Sequence, residues 1–140
     1  MKMYTKRNIG VDREIIVTPD TRSKELIICL IHTDMEMMET KKACSTVYAS
    51  VEGVGKCIEE KKWIQDSMID MLCGRYASGS IALSESTYLQ FDTPTNTVKL
   101  WCRSRWTSIP VIINLKPKEM DKLLGIFQKW YKHMQSDNAQ

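Results

Sequence analysis

The residues whose types and spacing most clearly suggest chemistry flank the turn-forming cluster Asp92-Thr93-Pro94-Thr95-Asn96-Thr97. Pairing Asp92 with Thr97 closes a four-residue loop, a common hairpin length. Phe91 then faces Val98, Leu89 faces Leu100 and Thr87 faces Cys102, all on one side. The other side carries Gln90 beside Lys99, Tyr88 beside Trp101 and Ser86 beside Arg103, with Arg105 extending the row. A slip of one residue would mix the two sets, so their consistency supports the register. Aromatic rings on which bases stack, at ~1–3 kcal/mol per base, beside cations that hold the backbone, make a platform for single strands. Tyr88, Lys99, Trp101, Arg103 and Arg105 are therefore the candidate nucleic-acid-binding residues. The same pattern has a plainer use. Cross-strand aromatic pairs stabilise sheets, and arginine stacks on tryptophan within one chain. The face would then be an interface with another protein, as in an inhibitor, adaptor or assembly subunit, or with a second copy of this chain. Nine methionines and four tryptophans suit such an interface.

Other clusters carry less. Lys118, Lys122, Lys129 and Lys132 share one helical face. They would meet a phosphate backbone, but a solvated helix surface explains them as well. Gly53-Val54-Gly55-Lys56 precedes a helical pattern but lacks the spacing and the Ser or Thr of a P-loop. His32, Asp34, Glu36 and Glu39 are better read as a solvated helix start than as ligands of a divalent ion. The five cysteines are odd in number and include no C-x-x-C pair. They read as free, buried thiols in a reducing compartment. With two histidines and no Ser-His-Asp or Cys-His arrangement, the expectation is a non-enzymatic protein with no catalytic residues, metal or cofactor.

The elements that must position these residues follow from periodicity. Glu14–Thr18 reads as a strand, Pro19–Ser23 as a turn and Glu25–Thr33 as a second strand, apolar on both faces and hence central and covered on both sides. Residues 34–52 admit two readings. Thr33-Asp34-Met35-Glu36 fits a capping box, with Met37, Cys44, Tyr48 and Val51 on one helical stripe. Ser45–Val51 has strand propensity, and the balance leans to a strand there. Gly53-Val54-Gly55 should break either element. Residues 56–72 read as a helix stopped near Gly74. One or two strands fall in Ser80–Phe91, one in Val98–Trp106 and one in Val111–Leu115, with Pro110 marking a strand start or edge. Lys116–Met134 is the clearest helix, with Pro117 in its first turn and Met120, Leu123, Leu124, Phe127, Trp130, Tyr131 and Met134 on one face.

The fold class expected is α+β, an antiparallel sheet with two or three helices. On the strand reading of residues 45–51 it contains a degenerate strand-strand-strand-helix repeat. That topology is similar to Whirly, Pur and related single-strand-binding folds, which use repeated strand-rich units ending in a helix. The 140 residues fit one domain, with residues 1–12 and 135–140 expected to be flexible. No apolar run approaches the ~20 residues of a membrane span, and no apolar stretch follows the basic N-terminus as a signal peptide requires. The expected setting is intracellular, cytoplasmic or nuclear. The net charge of +3 is uneven: residues 1–92 balance at −2 and residues 93–140 at +5. A basic half adds to the expectation of a polyanionic partner.

Overall fold

A turn built by one carboxylate starts the first sheet. Asp20 accepts hydrogen bonds from the Arg22 N–H (3.0 Å) and the Ser23 hydroxyl (2.9 Å). The Ser23 hydroxyl and the Arg22 N–H hold the Asp20 carboxyl below the ordinary carboxylate range. Lys24, in the left-handed region at φ 54°, completes the reversal. The turn joins β2 (Asp12–Asp20) to β3 (Glu25–Glu36). With β1 (Tyr4–Asn8) and β4 (Glu39–Ala49) they form an antiparallel sheet in the order β1-β2-β3-β4. The computed structural model describes residues 4–8, 12–20, 22–36, 39–103 and 109–138.

Several expectations change here. Within the stretch 1–12 expected to be flexible, Tyr4–Asn8 forms β1, which pairs with β2 from Tyr4–Val17 to Asn8–Arg13. Residues 34–36 and 39–49 are strand, because the long β3 offers a ladder and residues 45–49 alternate correctly for it. Val47 and Ala49 point inward beside Ile28 and Leu26. Thr33–Glu36 is thus strand and caps no helix. β3 is central in its sheet as expected, but it is covered on one face only. Leu26 and Ile28 are fully buried, whereas Ile27, Cys29 and Ile31 are half-exposed.

The helix expected from residue 56 starts earlier, as α1 (Val51–Glu59), and continues after a break at Glu60 as α2 (Lys61–Leu72). Ser50 is the cap, its hydroxyl accepting from the Gly53 N–H at 3.1 Å. Gly53 and Gly55 do not break the helix; they let it pack closely. A Cβ on Gly53 would overlap the Leu83 backbone, and one on Gly55 would meet the Tyr131 ring at 2.9 Å. Gly74, at φ +77°, follows α2 as expected, its N–H bonded to the Met71 carbonyl at 3.1 Å.

The second sheet runs β5 (Ser80–Ala82), β6 (Thr87–Asp92), β7 (Thr97–Cys102) and β8 (Val111–Leu115), also antiparallel and in sequence order. β7 is shorter than the expected Val98–Trp106; residues 104–108 lie outside the described residues. β8 is an edge strand preceded by Pro110. The chain closes with α3 (Pro117–Asn138), which extends into the tail expected to be flexible. Glu119 lies buried in its first turn and accepts from the Lys116 N–H at 2.9 Å. Among the described residues each half thus has four antiparallel strands followed by helix, one strand more per half than expected. β4 lies against β6, β7 and β8, α1 packs on α3, and α3 covers β7 and β8. The core comprises the inner sheet faces (Ile15, Val17, Ile28; Leu89, Leu100, Ile113) and the expected α3 stripe, with Phe127 completely buried. Trp63 of α2 meets Phe91 edge-on at 5.1 Å.

Candidate nucleic-acid interface

The β6–β7 hairpin has the register derived from alternation: Asp92–Thr97, Phe91–Val98, Gln90–Lys99, Leu89–Leu100, Tyr88–Trp101 and Thr87–Cys102. The Arg103 N–H continues the ladder to the Ser86 carbonyl at 3.1 Å. The turn is a single 3-10 turn at Thr93–Thr95 followed by Asn96 at φ 51°. Asparagine tolerates that left-handed conformation. Leu89, Val98 and Leu100 fill the core, which directs Tyr88, Lys99, Trp101 and Arg103 outward.

On the outer face the rings of Tyr88 and Trp101 are stacked, with centroids 4.9 Å apart and planes at 29°. β5 and β8 widen the pair into a band. Ala82 lies beside Tyr88, and Ile112, 42% exposed, lies beside Trp101. Ala82, Tyr88, Trp101 and Ile112 therefore cross all four strands in one row. On one side runs the polar row Ser80, Gln90, Lys99 and Asn114. On the other side Arg103 is exposed. Ile112 and Ala82 were not among the sequence candidates. The alternation in Val111–Leu115, with Ile113 and Leu115 inward, was the available signal for Ile112.

Electrostatics moderate this face. Lys99 is engaged with Asp92 (3.2 Å), whose carboxylate also accepts from the Thr95 hydroxyl at 2.8 Å. These bonds, Thr95 foremost, hold the Asp92 carboxyl below its ordinary range, so it stays ionised beside Lys99. The Trp101 indole N–H is buried without a hydrogen-bond partner among the described residues. Arg105 lies outside the described residues.

The lysines of α3 belong elsewhere. Lys118, Lys122, Lys129 and Lys132 are exposed on the side of α3 opposite its buried stripe, and that stripe packs under the sheet. They face away from Tyr88 and Trp101, so the chain's two basic features do not form one surface. Gly53 and Gly55 are helical and buried, which leaves no glycine loop for a phosphate. His32, Asp34, Glu36 and Glu39 fall on the β3–β4 hairpin and not at a helix start, so no helix dipole acts on them; their side chains lie outside the described residues. No cluster of three metal-ligating side chains occurs among the described residues. All five cysteines are free, but only Cys57 is buried, against the expectation of buried thiols. Strand alternation sends Cys29 and Cys44 to the outer face of the first sheet, where Cys44 is exposed and Cys29 half-buried. No helix among the described residues is long and apolar enough to cross a membrane. Comparison with protein-family models, curated proteins and solved structures finds no match to this chain.

Proposed function

We propose that this chain is a non-enzymatic protein that binds single-stranded DNA or RNA on the outer face of its second sheet. The observation that carries the reading is the stacked Tyr88–Trp101 pair, half-buried at the centre of an outer row, with Lys99 and Arg103 to either side. Unpaired bases stack on such rings whatever their sequence, while the cations follow the phosphates. Duplex DNA keeps its bases stacked internally and binds this face less well. Arg105, two residues beyond Arg103 in the sequence, is a further cation of this proposal. The test is the affinity of a labelled oligonucleotide across a salt series. Single strands should bind at low salt and weaken with a log–log slope of about −0.7 per phosphate contact. Absence of binding at low salt, or preference for duplex, would contradict the proposal.

The second reading is a protein–protein module using the same face, including self-association into a homo-oligomer. It is favoured by the exposed Ile112 at the end of the row and by the prior engagement of Lys99 with Asp92. An apolar interface of this kind would be nearly insensitive to salt.

A further inference from the structure

We propose that Cys29 and Cys44 form a reversible dithiol–disulfide site on the outer face of the first sheet, oxidised by hydroperoxides. The ladder pairs Cys29 with Thr46 and Ile31 with Cys44, so the two cysteines are diagonal neighbours on one face. Their sulfurs are 3.4 Å apart. Cys44 is exposed and Cys29 half-exposed, so a small oxidant reaches both. No other two of the five sulfurs are in such contact among the described residues. Cys57 supplies the contrast: it is wholly buried, its thiol pushed up to about 12 by burial alone.

The local hydrogen bonds divide the roles. The Thr46 hydroxyl donates to Cys29 Sγ at 3.6 Å, and the Cys44 thiol faces the same sulfur. That contact with Cys29 pushes the Cys44 thiol up. With the Thr46 hydroxyl directed at its sulfur, Cys29 attacks, and Cys44, in contact with that sulfur, resolves. The Cys29 thiolate attacks one peroxide oxygen and the O–O bond breaks. The departing oxygen takes a proton and leaves as alcohol, or as water from hydrogen peroxide, and Cys29 becomes a sulfenic acid. Cys44 then attacks that sulfur, the S–O bond breaks, and the hydroxyl leaves with the Cys44 proton as water. Two thiols and one hydroperoxide yield one disulfide, one alcohol and one water; the sulfurs are oxidised and the peroxide reduced. The sulfurs must close to about 2.05 Å. Diagonal strand neighbours have Cα atoms ~7–8 Å apart, at or beyond the upper end of disulfide geometry. The bridge is therefore strained and easily reduced, as reversible sites are.

The test treats the reduced full-length chain with one equivalent of hydrogen peroxide, blocks residual thiols and digests with trypsin without reduction. Cleavage after Lys24, Lys41, Lys42 and Lys56 separates Cys29 from Cys44. The expected product joins those two peptides, free thiols fall from five to three, and dithiothreitol restores them. At a fixed excess of peroxide, the first-order rate constant for linkage should be independent of protein concentration. Cys44→Ser should stop at a Cys29 sulfenic acid trapped by dimedone, and Cys73→Ser should behave as wild type. A linked peptide pair that Cys73→Ser abolishes, oxygen added to Cys44 without linkage, or disulfides only between chains would overturn the proposal.

Discussion

The two sheets share a plan and differ in what they leave outside. Among the described residues each runs four antiparallel strands in sequence order, and their inner faces belong to one core shared with the helices. The first sheet exposes aliphatic and sulfur-bearing residues: Ile16, Ile27 and Ile31 with Cys29, Cys44 and Tyr48. The second exposes a stacked aromatic pair beside Lys99 and Arg103. Identical topology therefore supports two different surface chemistries, and function follows the outward residues. The second face sets a stacked pair of rings beside cations, and the proposed single strand is placed there for that reason.

The comparison rests on which faces are inside, and mutations test that first. Phe127→Ala, beneath the second sheet, should lower unfolding free energy by about 3–5 kcal/mol in urea denaturation. Ile28→Ala, on the buried face of β3, should cost about 2–5 kcal/mol. Ile27→Ala, one residue away on the outer face, should cost well under half as much because its side chain remains partly solvated. Equal losses at Ile27 and Ile28 would mean that the first sheet is covered on both sides and the contrast is mistaken. Arg103→Ala should reduce the salt slope of single-strand binding by about one phosphate contact and leave stability nearly unchanged. Lys129→Ala, on the far side of α3, should change stability by less than about 0.5 kcal/mol and leave binding intact. A large binding loss there would move the site from the sheet to the helix.

Local patterns were legible in the sequence where strand alternation and turn chemistry agreed. The hairpin register from Asp92–Thr97 to Thr87–Cys102 and the buried stripe of α3 both follow from such agreement. Residues 34–52 were ambiguous because Met37, Cys44, Tyr48 and Val51 fit a helical stripe while Ser45–Val51 favours a strand; the unpaired edge of β3 decides between them. Gly53 and Gly55 misled because propensity treats glycine as a breaker. Their value lies in the close approach of Leu83 and Tyr131, a tertiary contact that no local window contains. The outward turn of Ile27, Cys29 and Ile31 was hidden for a similar reason: an apolar run does not state which of its faces is covered. The Cys29–Cys44 contact depends on pairing across fifteen residues, so cysteine spacing alone could not reveal it.

The stacking of a base on Trp101 is tested by Trp101→Ala, measured by fluorescence anisotropy with a labelled single strand alongside sedimentation of the same protein. The expected result is a loss of ~1–3 kcal/mol in binding, with an unchanged sedimentation coefficient and little loss of stability. Unaltered single-strand affinity, or a mutant that unfolds or loses an oligomer while the wild type binds no single strand at low salt, would contradict it and leave the face as a protein interface.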